Sequence, residues 1–254
     1  MINPFRVAGG ALRDLFDEFL LLIICNLIWA VLCAPLWVLA FGLLLAGEGV
    51  FAVAAALVGV LPAGPATAGL YAVAARVTDG RASKVGDFFA GMRAYAGPAI
   101  AVTLAAVAGL GLILFNLSFY LAVNNIFGGL MLGLWLYLLI AWLGVIVYAY
   151  PLIFLQERPD LRLIARNSAL MALGRPLFTV ATLLLMGLVT LLSAYLVLPL
   201  LIITAALLAI WSTKATRTLI EDARRRREEA EANAVNQGAN LSDEKGRKGQ
   251  VKPK

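Results

Sequence analysis

Four stretches of this chain contain no Asp, Glu, Lys, Arg or His, and their lengths decide what it can become. They lie between Glu18 and Glu48, Glu48 and Arg76, Arg93 and Glu157, and Arg175 and Lys214. Each exceeds the ~18–20 apolar residues that a helix needs to cross a bilayer, and the last two have room for two crossings each. The 254 residues are 62% hydrophobic, against about 45–50% in soluble domains. The expected fold is all-α and polytopic: six transmembrane helices arranged as three hairpins.

Proline, glycine and charge divide the chain further. Asn3-Pro4 suits a helix start, with Asn as N-cap and Pro in the first turn. From Phe5 to Phe19 apolar residues recur at helical spacing, and Arg13, Asp14, Asp17 and Glu18 lie largely on the other side. That is the pattern of an amphipathic surface helix. Span one covers about Phe19–Ala46 and span two about Val50–Ala75, with a tight turn at Gly47-Glu48-Gly49. A second amphipathic segment carries Val85, Phe88, Phe89, Met92 and Tyr95 on one face. Span three runs from Pro98 to about Ala122, and span four from about Leu130 to Gln156, with a turn at 124–129. A third amphipathic segment starts at Pro159-Asp160, with Arg158, Arg162 and Arg166 at i, i+4 spacing. Span five opens at Pro176, a turn is expected at Ser193-Ala194-Tyr195, and span six ends near Trp211. The order surface segment, span, span therefore occurs three times, as an internal parallel repeat would give.

Basic residues set the expected orientation, because Lys and Arg collect on the cytoplasmic side of membrane proteins. Two precede span one, four lie in 76–93, four in 158–175 and eleven after span six, which together are all 21. Both termini are thus expected in the cytoplasm, in a multi-pass protein of the cytoplasmic (inner) membrane. The first apolar run is too long for a signal-peptide core and should remain as a helix. The expected domains are a transmembrane domain over 1–212, a charged cytoplasmic helix over 213–234 and a disordered tail over 235–254. Glu221 and Arg225 can pair at i, i+4 on that helix. Arg224–Arg227 suits a solvated flank that senses anionic lipid head groups, and no nucleic acid is expected as a partner.

The spans exclude several chemistries. They hold none of the ionisable residues that proton-coupled carriers and pumps place inside the membrane. No histidine or paired acids are available as catalytic groups there. The expected protein is not an enzyme, has no catalytic or metal-binding residues and needs no cofactor. Cys25 and Cys33 lie eight positions apart on one helix, ~12 Å and too far to bridge.

What remains is a double-proline segment and a few neutral polar side chains. Pro62 and Pro65 lie three apart in span two, flanked by Gly64 and Thr67. Each lacks an N–H, which would free the carbonyls of Val58 and Leu61. Freed carbonyls in hydrocarbon need another partner, so this kink should pack against other helices. Asn26 lies ~10 Å above the inner end of span one and Thr67 ~13 Å above that of span two. The expectation is that Asn26 bonds Thr67 or a freed carbonyl. Small residues recur every four positions at Ala55, Gly59, Ala63 and Thr67, at Ala101, Ala105 and Gly109, and at Gly129 and Gly133. That spacing lets helices approach closely. Pro62, Gly64, Pro65, Thr67 and Asn26 form either a structural pivot or a binding site.

Several of these residues occur in a familiar order. Asn26-Leu27-Ile28-Trp29 precedes Pro35, then comes Leu61-Pro62-Ala63-Gly64-Pro65-Ala66-Thr67-Ala68-Gly69-Leu70-Tyr71, then Asp87-Phe88-Phe89, and Asn167-Ser168 after span four. The chain resembles, over roughly residues 3–212, the YesL-like family of bacterial integral membrane proteins of unknown function. The resemblance implies six helices and a setting near carbohydrate uptake and breakdown, and supplies no catalytic residues. Two functions stay open. One is a non-catalytic accessory subunit of a carbohydrate-uptake complex, docking through Asp87, Phe88, Phe89, Arg162 and Arg166. The other is a permease for a small neutral solute with its pathway at the span-two kink. The surface segments either dock a partner or lie in the lipid interface.

Overall fold

The computed structural model describes residues 3–156 and 160–249, with side chains through residue 234. A first compact unit comprises Asn3–Thr216, and a second begins at Arg217. Among the described residues all regular structure is helical. The helices are α1 (Pro4–Asp17), α2 (Phe19–Leu45), α3 (Gly49–Thr78), α4 (Val85–Ala94), α5 (Ala96–Leu121), α6 (Ile126–Leu155), α7 (Leu161–Gly174), α8 (Pro176–Leu196) and α9 (Ala205–Gly249). A π-helical turn, Leu200–Thr204, leads into α9. Helices α2, α3, α5, α6 and α8, and the segment Leu200–Ala234, are long and apolar enough to cross a membrane. The all-α polytopic architecture expected from charge spacing is the one observed.

Side chains cap the starts of α1, α4, α6 and α7, whereas α2, α3, α5 and α8 begin without one. The Asn3 side chain accepts the Phe5 N–H at 2.9 Å, with Pro4 at the first position of α1. Asp87 accepts the Lys84 N–H at 2.8 Å at the start of α4, and Asp160 accepts the Arg162 N–H at 3.0 Å at the start of α7. Asn125 accepts the Gly128 N–H at 2.8 Å, so α6 begins at Ile126 and the turn is shorter than the expected 124–129. The turn after α8 also moves. Ser193, Ala194 and Tyr195 are helical, and the chain turns at Val197, the only described non-glycine residue with positive φ (59°). Leu198 and Pro199 are already helical, so the break between α8 and the π-turn is confined to Val197. Pro159 and Arg158 lie outside the described residues. Pro62 and Pro65 do not end α3, which is a single helix from Gly49 to Thr78.

Helix α3 is the centre of the packing, with two close faces. Gly59 meets Leu36 and Trp37 of α2, continuing the small-residue row that reaches Thr67. A Cβ on Gly64 would lie 2.8 Å from Ile100 Cα of α5, and one on Gly69 would lie 2.7 Å from the Phe88 carbonyl oxygen of α4. Gly91 of α4 returns the contact against Ala72. Gly109 packs on Trp142, but Gly129 and Gly133 face open space, so the expected row on α6 makes no close contact among the described residues.

The three short helices bind the bundle in one way. Phe88 and Gly91 of α4 pack on α3, the third helix of the preceding set. Ala172 of α7 packs on Gly144 of α6. Helix α1 packs on the segment after the π-turn, where Lys214 Nζ donates to the Gly10 carbonyl and pairs with Asp14, both at 2.8 Å. Helix α1 thus has three faces: Val7, Ala11 and Leu15 buried, Phe5, Leu12 and Phe16 exposed and apolar, and Arg6, Arg13 and Asp17 charged. A helix of this kind suits the boundary between protein, lipid and water.

In the second unit Arg225 turns to Asp222 (3.2 Å) and Glu229 (3.7 Å) rather than to Glu221, and Arg227 pairs with Glu231 at 2.8 Å. The bounds of α9 run past residue 235, where composition placed the end of the charged helix.

Gly64→Ala should destabilise the bundle by about 1–3 kcal/mol, because the new methyl meets backbone that cannot move aside. Gly111→Ala, with nothing within 4 Å, should leave stability unchanged or slightly raised. Unfolding of the purified variants in mixed micelles checks both.

Candidate functional site

Asn26, Thr67, Thr103 and Thr179 bond across helix interfaces, whereas Asn116, Ser118 and Thr190 bond only to the backbone of their own helix. Asn26 is fully buried, as its cost in hydrocarbon requires, but its partner is not in α3. Its Nδ2 donates to the Leu201 carbonyl at 2.6 Å, and its Oδ1 accepts the Ala206 N–H at 2.9 Å. This corrects the expected Asn26–Thr67 bond. Leu201 and Ala206 are five apart, the spacing of a π-helical bond. The Asn26 amide therefore spans, through its own donor and acceptor, the two backbone groups at the junction between π-turn and α-helix. A primary amide suits this role because it donates and accepts from one planar end.

Thr67 is bonded across the α2–α3 interface all the same. Trp29, three residues after Asn26, donates its indole N–H to Thr67 Oγ1 at 3.0 Å. Of the other segment residues, Gly64 is buried and Pro62 and Pro65 are half-buried. The space beside Gly64 is filled by Ile100, so this stretch serves close packing.

A second set of bonds lies among α3, α5, α6, α8 and the sixth span. Thr103 Oγ1 donates to the Ala99 carbonyl at 2.7 Å, so it accepts from Tyr150 OH, also at 2.7 Å. Ser212 Oγ donates to the Ala209 carbonyl at 3.1 Å and accepts from Tyr71 OH at 2.9 Å. The rings of Tyr71 and Tyr150 stack, with centroids 5.2 Å apart. Tyr148 and Thr179 hydroxyls meet at 3.0 Å between α6 and α8. The cluster is built of hydroxyl groups, each of which can donate once and accept, so its members orient one another across the helix interfaces. Sequence pattern alone does not single out the tyrosines as a bonded set.

The expected docking residues separate. Asp87 caps α4 and pairs with Arg76 at 3.3 Å. Phe88 is fully buried against Gly69, which removes it from any docking surface. Phe89, Arg162 and Arg166 are exposed. Cys25 and Cys33 are free and buried. Comparisons of the chain with protein-family models, with curated proteins and with solved structures give no match.

Asn26→Leu keeps the volume but leaves the Leu201 carbonyl and the Ala206 N–H without that partner. The expected loss is about 1–3 kcal/mol, read from micellar unfolding. Thr67→Val, which removes only the acceptor of Trp29, should cost less, near the ~0.6 kcal/mol average of interhelical bonds in membranes.

Proposed function

We propose that this protein is a non-catalytic subunit of the cytoplasmic membrane, with both termini in the cytoplasm, attached to a carbohydrate-uptake complex. One observation carries the non-transport part. The polar side chains of the candidate site are engaged with one another or with backbone: Trp29 with Thr67, Asn26 with Leu201 and Ala206, Tyr71 with Ser212, Tyr150 with Thr103. A solute pathway needs polar groups free to replace the hydration of its cargo. At the double-proline segment those groups are engaged and the space is taken by Ile100.

The orientation rests on the distribution of all 21 basic residues over four segments that alternate with the expected outer turns. The carbohydrate setting comes from the likeness to the YesL-like family. Phe89 on α4 and the Arg162–Arg166 pair on α7 are the exposed residues left for docking, and they suit a partner surface with an apolar pocket and carboxylates. The surrounding lipid, with anionic head groups near the basic loops, is the other partner.

A permease for a small neutral solute keeps one specific observation. Among the described residues, the buried Thr182 Oγ1 and Trp211 Nε1 have no hydrogen-bond partner, and buried polar groups are rarely left so.

Phe89→Ser, and separately Arg162→Gln with Arg166→Gln, should each lower co-purification of the uptake complex at least ~10-fold at unchanged membrane yield, as loss of an interface anchor does. Unchanged recovery overturns the docking assignment. Proteoliposomes holding this protein alone should take up labelled sugar no faster than empty ones; faster uptake, abolished by Thr182→Val, establishes the permease instead.

A further inference from the structure

The bonds of Asn26 fix a depth as well as a partner. Asn26 lies seven positions beyond the start of α2, and α2 continues from there to Leu45. At 1.5 Å per residue the first hairpin extends ~28 Å beyond Asn26. Leu201 and Ala206 are held level with Asn26 by bonds of 2.6 and 2.9 Å. The turn of the last hairpin, at Val197, is four residues from Leu201. Even fully extended, four residues cover only ~14 Å. The last turn therefore stops ~14 Å or more short of the first, in a hydrocarbon layer ~30 Å thick.

Two independent features agree with that depth. The first two outer turns carry polar residues, Glu48 in one and Asn124 and Asn125 in the other. The last reads Leu196-Val197-Leu198-Pro199-Leu200, with Leu196, Val197 and Leu198 exposed by 54–64% and no polar side chain among them. Its backbone is also satisfied from within the protein. The Val197 carbonyl accepts the Leu201 N–H at 3.3 Å, and the Pro199 carbonyl accepts the Thr204 hydroxyl at 2.9 Å. The Leu201 carbonyl takes the Asn26 amide, and Pro199 has no N–H to satisfy. Irregular backbone is tolerated at membrane depth only where its polar groups are met in this way.

We infer that α8 and the start of the sixth span form a re-entrant hairpin, with its turn, at Val197, inside the bilayer. Helix α8, ~31 Å long, then lies obliquely across the bundle, and lipid acyl chains cover Leu196, Val197 and Leu198. The inference does not depend on the proposed docking role.

The test places single cysteines at Leu198, Glu48 and Asn124 in the full chain. Cys25 and Cys33 are buried, and the unmodified protein gives the background. A charged, membrane-impermeant maleimide is applied to intact cells and to inverted vesicles. Glu48→Cys and Asn124→Cys should label from the same single face. Leu198→Cys should label from neither, at less than about a tenth of their rate, since hydrocarbon excludes the charged reagent. All three should label after SDS denaturation. Bimane on Leu198→Cys, reconstituted with doxyl lipids, should be quenched more by mid-chain than by head-group labels. Labelling of Leu198→Cys from the face that labels Glu48→Cys, at a similar rate, overturns the inference, as does strongest quenching from the head group. Tyr195→Cys, on the same exposed stretch, replaces Leu198→Cys if that variant fails to insert.

Discussion

Hydrocarbon offers no water to a backbone N–H or C=O that leaves the α-helical ladder, and the arrangement of this bundle follows from how such groups are met. The sharpest instance is the bridge from Asn26 to Leu201 and Ala206. A π-turn is tolerable at membrane depth when a side chain closes the junction it leaves, and a fully buried Asn is tolerable when it finds both a donor and an acceptor. Each feature would be costly without the other. The first span and the last are thereby fixed to each other although they are far apart in sequence.

The same economy governs the rest of the interior. Van der Waals packing, not water exclusion, holds helices together in lipid, so α3 brings its glycines to bear on both sides. Gly59 faces α2, while Gly64 and Gly69 face α5 and α4. Hydroxyl pairs then add direction where packing alone has none: Tyr150 to Thr103, Tyr71 to Ser212, Tyr148 with Thr179. Around this core α4 leans on α3, α7 on α6 and α1 on the segment holding Lys214. In each case a short helix closes against the last helix of another set. The threefold order of the sequence thus has a counterpart in how the sets interlock.

Much of this is legible in the residues alone. Gaps in charge mark the six apolar helices, because an uncompensated ion in a span is too costly to be placed by chance. Asn3-Pro4 marks the first helix start. Asn26 is recognisable as a residue that must be buried and bonded, and its depth match with Thr67 is sound, since Trp29 of the same helix makes that link. Its actual partner is not legible. Leu200–Ile203 is a plain apolar run closed by Thr204, and a π-turn has no composition of its own; Pro199 and Thr204 are the only hints. Phe88 is misplaced by its pattern for a related reason. A short amphipathic helix at the membrane edge has two apolar faces, one toward protein and one toward lipid, and periodicity alone does not say which Phe belongs to which.

The prolines show how tertiary context overrides a local signal. Pro62 and Pro65 each remove a ladder bond, and in an exposed helix that would cost ~3 kcal/mol or more apiece. Here α3 continues through both, in the stretch where Gly64 admits Ile100 to backbone contact and Thr67 receives Trp29. Small residues beside a proline let a neighbour come close enough to support the weakened turn, and the neighbour in turn needs those small residues in order to approach. At the other proline-led site the supply is different. Pro199 opens a stretch whose carbonyls are met by Thr204 and Asn26, side chains brought from one turn away and from another helix. A double proline met by close packing and a single proline met by hydrogen bonds are two answers to one constraint, and the reversal of the chain lies just ahead of the second, at Val197.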